Sequence, residues 1–133
     1  TDGTSTYYEH ETGLNQVKEG ATTAITANIE SGDFDIGQQG LDGDGEYMMK
    51  IRRIIPDFLA QTGDARITLN LRDFPNDVSV SSSLGPFTIT SGTQKIDTRA
   101  RARSVSLKVD NTSTSQFWRL GTFRLDIQPD GRR

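Results

Sequence analysis

Apolar and polar residues alternate with period two over much of this chain, the pattern of strands that bury one face. The cleanest run is residues 65–72, ARITLNLR. Ala65, Ile67, Leu69 and Leu71 share one side there, and Arg66, Thr68, Asn70 and Arg72 the other. Residues 23–30 (TAITANIE) predict a strand with Ile25, Ala27 and Ile29 on one face. Residues 47–55 (YMMKIRRII) predict another, ended by Pro56, but its alternation is imperfect. Tyr47, Met49, Ile51 and Ile55 share a parity with Arg53, whereas Met48, Lys50, Arg52 and Ile54 take the other. Residues 78–83 alternate weakly and break at Leu84-Gly85-Pro86, and FTIT (87–90) is a short strand before a Ser91-Gly92 turn. A long Arg-rich strand is expected from about residue 94 to 110. Residues 117–120 and 122–128 are expected to pair around Gly121, with Phe123, Leu125 and Ile127 inward.

The stretches between these runs carry turn chemistry. SGDFDIGQQGLDGDGE is dense in Gly and Asp, and Phe74-Pro75-Asn76-Asp77 and Asp110-Asn111-Thr112-Ser113 are turn signals. Residues 1–22 read as an irregular lead-in held to the body by Tyr7 and Tyr8. The expected fold is all-β, an antiparallel sandwich or propeller-like set of sheets with seven to eight short strands and little or no helix. A length of 133 residues fits one domain with a real core. The chain opens on Thr1 rather than Met, which is read as the mark of a piece of a longer polypeptide.

Charge is distributed unevenly. Residues 1–46 hold ten acids and one lysine, a net of −9; residues 47–93 net +1; residues 94–133 hold nine bases and four acids, net +5. An acidic front and a basic back can satisfy each other head to tail between identical subunits. Arg99, Arg101 and Arg103 recur at period two and share a parity with Val105, Leu107 and Val109. A continuous strand would be basic and then apolar on one face, suited to meeting an anionic neighbour. With Lys108, Arg119, Arg124, Arg132 and Arg133 these form the candidate basic surface. Phe117 and Trp118 are expected to pack beneath it, and Glu9, Glu11, Asp33 and Asp35 are candidate anionic partners. Phosphate binding is a second reading of the arginines. Against it, the chain is acidic overall and no aromatic residues are interleaved with them as a stacking platform.

Other chemistry is weakly signalled. Asp42-Gly43-Asp44-Gly45-Glu46 resembles a fragment of a calcium loop, but the EF-hand spacing is absent and a polar turn explains it. His10 is the single histidine, and there is no cysteine, so no metal site is assigned. No nucleophile elbow, phosphate-cradling loop or conspicuous carboxylate pair is present, and nothing argues for an enzyme or a cofactor. No apolar run is long enough to form a membrane helix.

The segments SGDFDIG, YMMKIRRIIPDF and IDTRARARSVSLKVDN…FWRLGTFRLDIQPDGRR, in that order, resemble the C-terminal part of tail nozzle or hub proteins of short-tailed bacteriophages. The run Tyr8-Glu9-His10-Glu11-Thr12-Gly13 resembles what precedes SGDFDIG there. Residues 38–45 depart from the pattern as an extended loop, and Ala102 stands where the pattern has Gly. The resemblance implies a structural protein of the virion tail, built around a β-propeller. It implies a ring of identical subunits, in six copies, contacting adaptor and other tail proteins. It further implies roles in assembly, in retaining packaged double-stranded DNA, and in letting that DNA pass without sequence-specific binding. The alternative is a carbohydrate-binding β-sandwich for adsorption to a host surface, with Tyr7, Tyr8 or Trp118 as an exposed platform. A small hydrolase ranks last for want of a site.

Overall fold

A computed structural model describes residues 12–37, 45–74 and 79–132 of the chain. Among the described residues there are eleven strands and no helix: β1 (Asn15–Lys18), β2 (Ala21–Ala24), β3 (Asn28–Glu30), β4 (Met49–Ile55), β5 (Phe58–Thr62), β6 (Ala65–Arg72), β7 (Ser82–Ile89), β8 (Ile96–Ala102), β9 (Ser104–Asp110), β10 (Phe117–Leu120) and β11 (Arg124–Pro129). The all-β expectation holds, with more and shorter strands than the seven to eight expected. A four-stranded antiparallel sheet, β3-β9-β6-β7, and a three-stranded one, β11-β4-β8, share one core. The β1-β2 hairpin and a two-stranded antiparallel ribbon, β5-β10, complete the set.

Strand β6 follows its sequence pattern. Ala65, Ile67, Leu69 and Leu71 are buried, and the last three share a core cluster with Met49, Ile51, Ile54, Ala100 and Ala102 of the opposing sheet. The broken alternation of β4 has a local cause. Ile51 pairs with Ile127 and Arg53 with Asp126, so Arg52 is an extra residue opposite β11. Such a bulge shifts the phase of a strand by one. Met49, Ile51 and Ile54 therefore all reach the core, while Lys50, Arg52 and Ile55 are exposed.

Four expectations are corrected. The lead-in is not irregular throughout: residues 15–24 form a hairpin whose Glu19-Gly20 turn has both φ angles positive (51° and 80°), matching the right-handed twist of the strands. The expected strand 23–30 is two strands, because Asn111 intervenes. Its Oδ1 accepts from the Ala27 N–H (3.1 Å) and its Nδ2 donates to the Ile25 carbonyl (2.9 Å), leaving Ile25 and Ile29 half-exposed. Leu84-Gly85-Pro86 does not end a strand; β7 runs through it, with a register shift opposite Thr68. Proline is tolerated because β7 is an edge strand. Gly85 has φ 116°, and a Cβ there would lie 2.8 Å from the Ile67 carbonyl oxygen. Finally, β10 and β11 do not pair with each other: β10 pairs with β5, which sequence reading missed, and β11 with β4. Phe123, Leu125 and Ile127 do pack against the core as expected.

The Arg-rich stretch is also two strands. β8 belongs to one sheet and β9 to the other. The inward direction of one sheet is the outward direction of the sheet facing it, so a crossing chain exchanges parity. Thr98, Ala100 and Ala102 point inward before the crossing, and Val105 and Val109 after it. The arginines thus do not share a face with the valines, which the uninterrupted alternation had suggested.

Candidate interface

Arg99, Arg101 and Arg103 have three different environments. Arg103 is the corner. Its N–H donates to the Arg72 carbonyl (3.1 Å), and its guanidinium donates to the carbonyls of Gly45 (2.6 Å), Asp73 (3.2 Å) and Glu46 (3.4 Å). It is half-buried and fastens the crossing to two neighbouring segments. Arg101 lies on the outer face of β8, where Nε donates to Asp130 Oδ2 at 2.5 Å. Arg99 is exposed on the same face and bonds to no described residue.

The pairing of β8 with β4 shows what surrounds them. Lys50 stands directly opposite Arg101. Ile51 pairs with Ala100 and Arg53 with Asp97, so Arg52 faces the step between Thr98 and Arg99. Lys50, Arg52, Arg99 and Arg101 are therefore neighbours on one exposed face, although two come from a strand about fifty positions away. Sequence reading assigned Lys50 and Arg52 no role. The only signal was the broken alternation of YMMKIRRII, which a bulge explains. Among described residues, Lys50, Arg52 and Arg99 have no ion-pair partner. Arg53 is paired with Asp97 (2.9 Å), which also meets Lys95 (3.1 Å). Those two hydrogen bonds, from Arg53 first and Lys95 second, hold the Asp97 carboxyl below its ordinary pKa.

The outer face of the four-stranded sheet is arranged differently. Arg66 and Asp110 are directly opposite across β6 and β9 and make a two-pronged bond, Nε to Oδ1 at 2.7 Å and an η nitrogen to Oδ2 at 2.8 Å. This bond to Asp110 raises the Arg66 pKa. Arg72 pairs with Asp33 at 2.9 Å, and Glu30 accepts from Asn70 (2.7 Å) and Ser106 (2.9 Å). Asp33 is thus an internal partner of Arg72. Asp35 is half-buried, its carboxylate and the Arg103 side chain flanking Gly45. Glu9 and Glu11 lie outside the described residues, as do Tyr7, Tyr8, His10, Asp42 and Asp44.

Phe117, Trp118 and Arg119 sit on β10, against β5, rather than beneath β8. Trp118 faces inward, edge-on to Phe58 at 6.4 Å, with its indole N–H donating to Asn111 Oδ1 at 3.1 Å. The indole is thus half-buried and held at its edge by this bond. Phe117 (41 % exposed), Leu59 (70 % exposed) and Arg119 lie on the outward side of this ribbon. An open cleft of about 230 Å³ beside it is lined by Leu14, Ile25, Asn111, Gln116, Phe117 and Trp118.

No family model matches the chain, and no curated protein is detectably similar to it. Among the described residues no cluster of three or more potential metal ligands occurs. No helix of the described residues is long and apolar enough to cross a membrane.

Proposed function

We propose that this domain is a structural module of a bacteriophage tail, part of a nozzle or hub. It acts in tail assembly, in retention of packaged DNA and in its passage at infection. The observation that carries the reading is where the resembling segments fall in the fold. YMMKIRRIIPDF builds β4 and opens β5; IDTRARARSVSLKVDN builds β8, the corner and β9; FWRLGTFRLDIQPDGRR builds β10 and β11. Three of the resembling segments thus lie in strands that make the core and the sheet crossing, the parts a shared fold constrains most, and SGDFDIG lies between β3 and β4. The side-chain chemistry is compatible with a structural role: the polar groups so far located serve to pair strands, clamp turns and charge one face.

The test is the mass of the polypeptide from its native source, together with that of its native assembly. A ring of identical copies in a virion tail is the expected result. A freely diffusing 14.7 kDa monomer would overturn the reading.

A further inference from the structure

We infer that β2 is an open sheet edge on which β2 of a second copy of this chain pairs antiparallel, about a two-fold axis at Thr23, joining two hairpins into one continuous sheet. The inference goes beyond the tail reading and does not rest on it. β1 and β2 form a sheet of their own. Every residue of the hairpin except Asn15 and Ala24 is exposed. Its described side-chain tie to the body is Asn15, whose Nδ2 donates to Ser115 Oγ (3.1 Å) and whose Oδ1 accepts from the Ser115 N–H (2.5 Å). A lone two-stranded hairpin is marginally stable in water and gains from a further strand. The two-residue turn Glu19-Gly20 makes Lys18 and Ala21 the hydrogen-bonded pair that closes the hairpin, and Gln16 and Thr23 the next such pair. Ala21 and Thr23 therefore direct their N–H and C=O groups to β1, whereas those of Thr22 and Ala24 point away from it. No described residue bonds to them. Past Ala24 the free edge ends, because Asn111 holds the Ile25 carbonyl and the Ala27 N–H.

Charge and symmetry identify the partner. Residues 20–29 carry neither a charged residue nor a proline, and their threonines favour extended chain. Other edge strands are guarded by features that deter pairing. β7 has Pro86 and a register shift, β8 has Arg99 and Arg101, β11 has Arg124 and Asp126, and β3 has Glu30. The open side of β5 lies against the turn after β7, where Gln61 Nε2 donates to the Ile89 carbonyl at 2.7 Å. The unguarded edge is thus β2, and it is complementary to itself. With Thr23 opposite the partner's Thr23, Thr22 stands opposite the partner's Ala24. Every outward N–H and C=O of Thr22 and Ala24 then finds a partner, as an isologous contact requires. Small side chains meet at each of these positions, threonines face each other across the axis, and no like charges are brought together.

Sedimentation of the purified chain at concentrations up to about 1 mM tests this, since so short a seam binds weakly. The expected result is a concentration-dependent rise toward twice the chain mass of 14.7 kDa. It should be the same at about 0.05 M and about 0.5 M salt, because no ion pair contributes. In the associated form amide hydrogen exchange at Thr22 and Ala24 should slow about tenfold, and by more than at Ala21 and Thr23, which β1 already protects. Thr23→Lys and Thr23→Glu each set like charges across the axis and should abolish association, and an equimolar mixture of the two should restore it. Exchange protection at Ala21 shows whether the hairpin persists in each variant; where it is lost, the exchange result on the unaltered chain decides. A chain monomeric at every concentration overturns the inference. Association that high salt abolishes, that survives in either charged variant, or that leaves exchange at Thr22 and Ala24 unchanged overturns it too, by placing the contact elsewhere. The native particle mass judges the tail reading separately.

Discussion

Arg99, Arg101 and Arg103 are alike in sequence, yet their side chains do different work. Arg103 ties the sheet crossing to Gly45, Glu46 and Asp73 through backbone carbonyls. Its truncation to Ala should cost about 1–2 kcal/mol, since partly buried acceptors lose a charged donor. Arg101→Ala loses one half-exposed pair with Asp130 and should cost no more than about 1 kcal/mol. Arg99→Ala should stay within about 0.5 kcal/mol of the parent. Urea unfolding followed by Trp118 fluorescence would rank them; equal losses for all three would refute the separate roles. The period-two spacing revealed three arginines in extended chain. It could not reveal the crossing, because parity exchange depends on a facing sheet contributed by distant residues. Asp97 gives a second residue-scale prediction. Its folded pKa is depressed by Arg53 and Lys95, so the stability it contributes is present above the unfolded value of about 3.9 and is lost as pH falls through the folded one. Carboxyl NMR titration should place its midpoint below that of a free Asp. Arg53→Gln should move the midpoint upward.

Among the elements, β4 best separates what pattern alone can reveal from what needs a partner strand. Strict alternation groups Ile55 with Met49 and Ile51, and Ile54 with Lys50 and Arg52. The bulge at Arg52 reverses this, leaving Ile54 fully buried and Ile55 38 % exposed. Ile54→Ala should therefore cost about 2–5 kcal/mol through lost burial and a residual cavity. Ile55→Ala should cost under about 1 kcal/mol, and the opposite order would show that the phase shift is wrong. β6 was fully legible because it alternates without interruption and pairs on both edges, so nothing local competes with its pattern. β5 was not legible. Phe58, Ala60 and Gln61 turn partly inward while Leu59 projects, because a register shift against β10 leaves Leu59 unpaired. The expected strand 23–30 failed for another reason. Asn111, some eighty residues away, supplies the hydrogen bonds at Ile25 and Ala27 that a ladder partner would otherwise provide.

At the scale of the whole molecule the two sheets treat charge in opposite ways, and stability measurements can read the difference. On the four-stranded sheet, Arg66 and Asp110 complete each other's hydrogen bonding in a partly shielded position. Arg66→Gln should lose about 1–2 kcal/mol, most of it retained in high salt because the bond is directional and partly desolvated. On the three-stranded sheet, Lys50 and Arg52 add repulsion without an internal partner, so removing their charge withdraws a penalty. Lys50→Gln/Arg52→Gln should be at least as stable as the parent at about 0.05 M salt, and that advantage should vanish at about 0.5 M. Denaturant unfolding of both variants at both salts makes the comparison. Loss of stability in the Lys50/Arg52 variant would mean that the cluster serves the fold itself. The sequence already displayed the raw asymmetry, a net −9 front against a net +5 back. It could not display which cations are answered within the chain, because Arg66–Asp110 and Lys50–Arg101 become neighbours only once strands far apart in sequence are in register. A gain on one sheet and a loss on the other, from the same type of substitution, would distinguish cations that build the domain from cations that no ion pair among the described residues offsets.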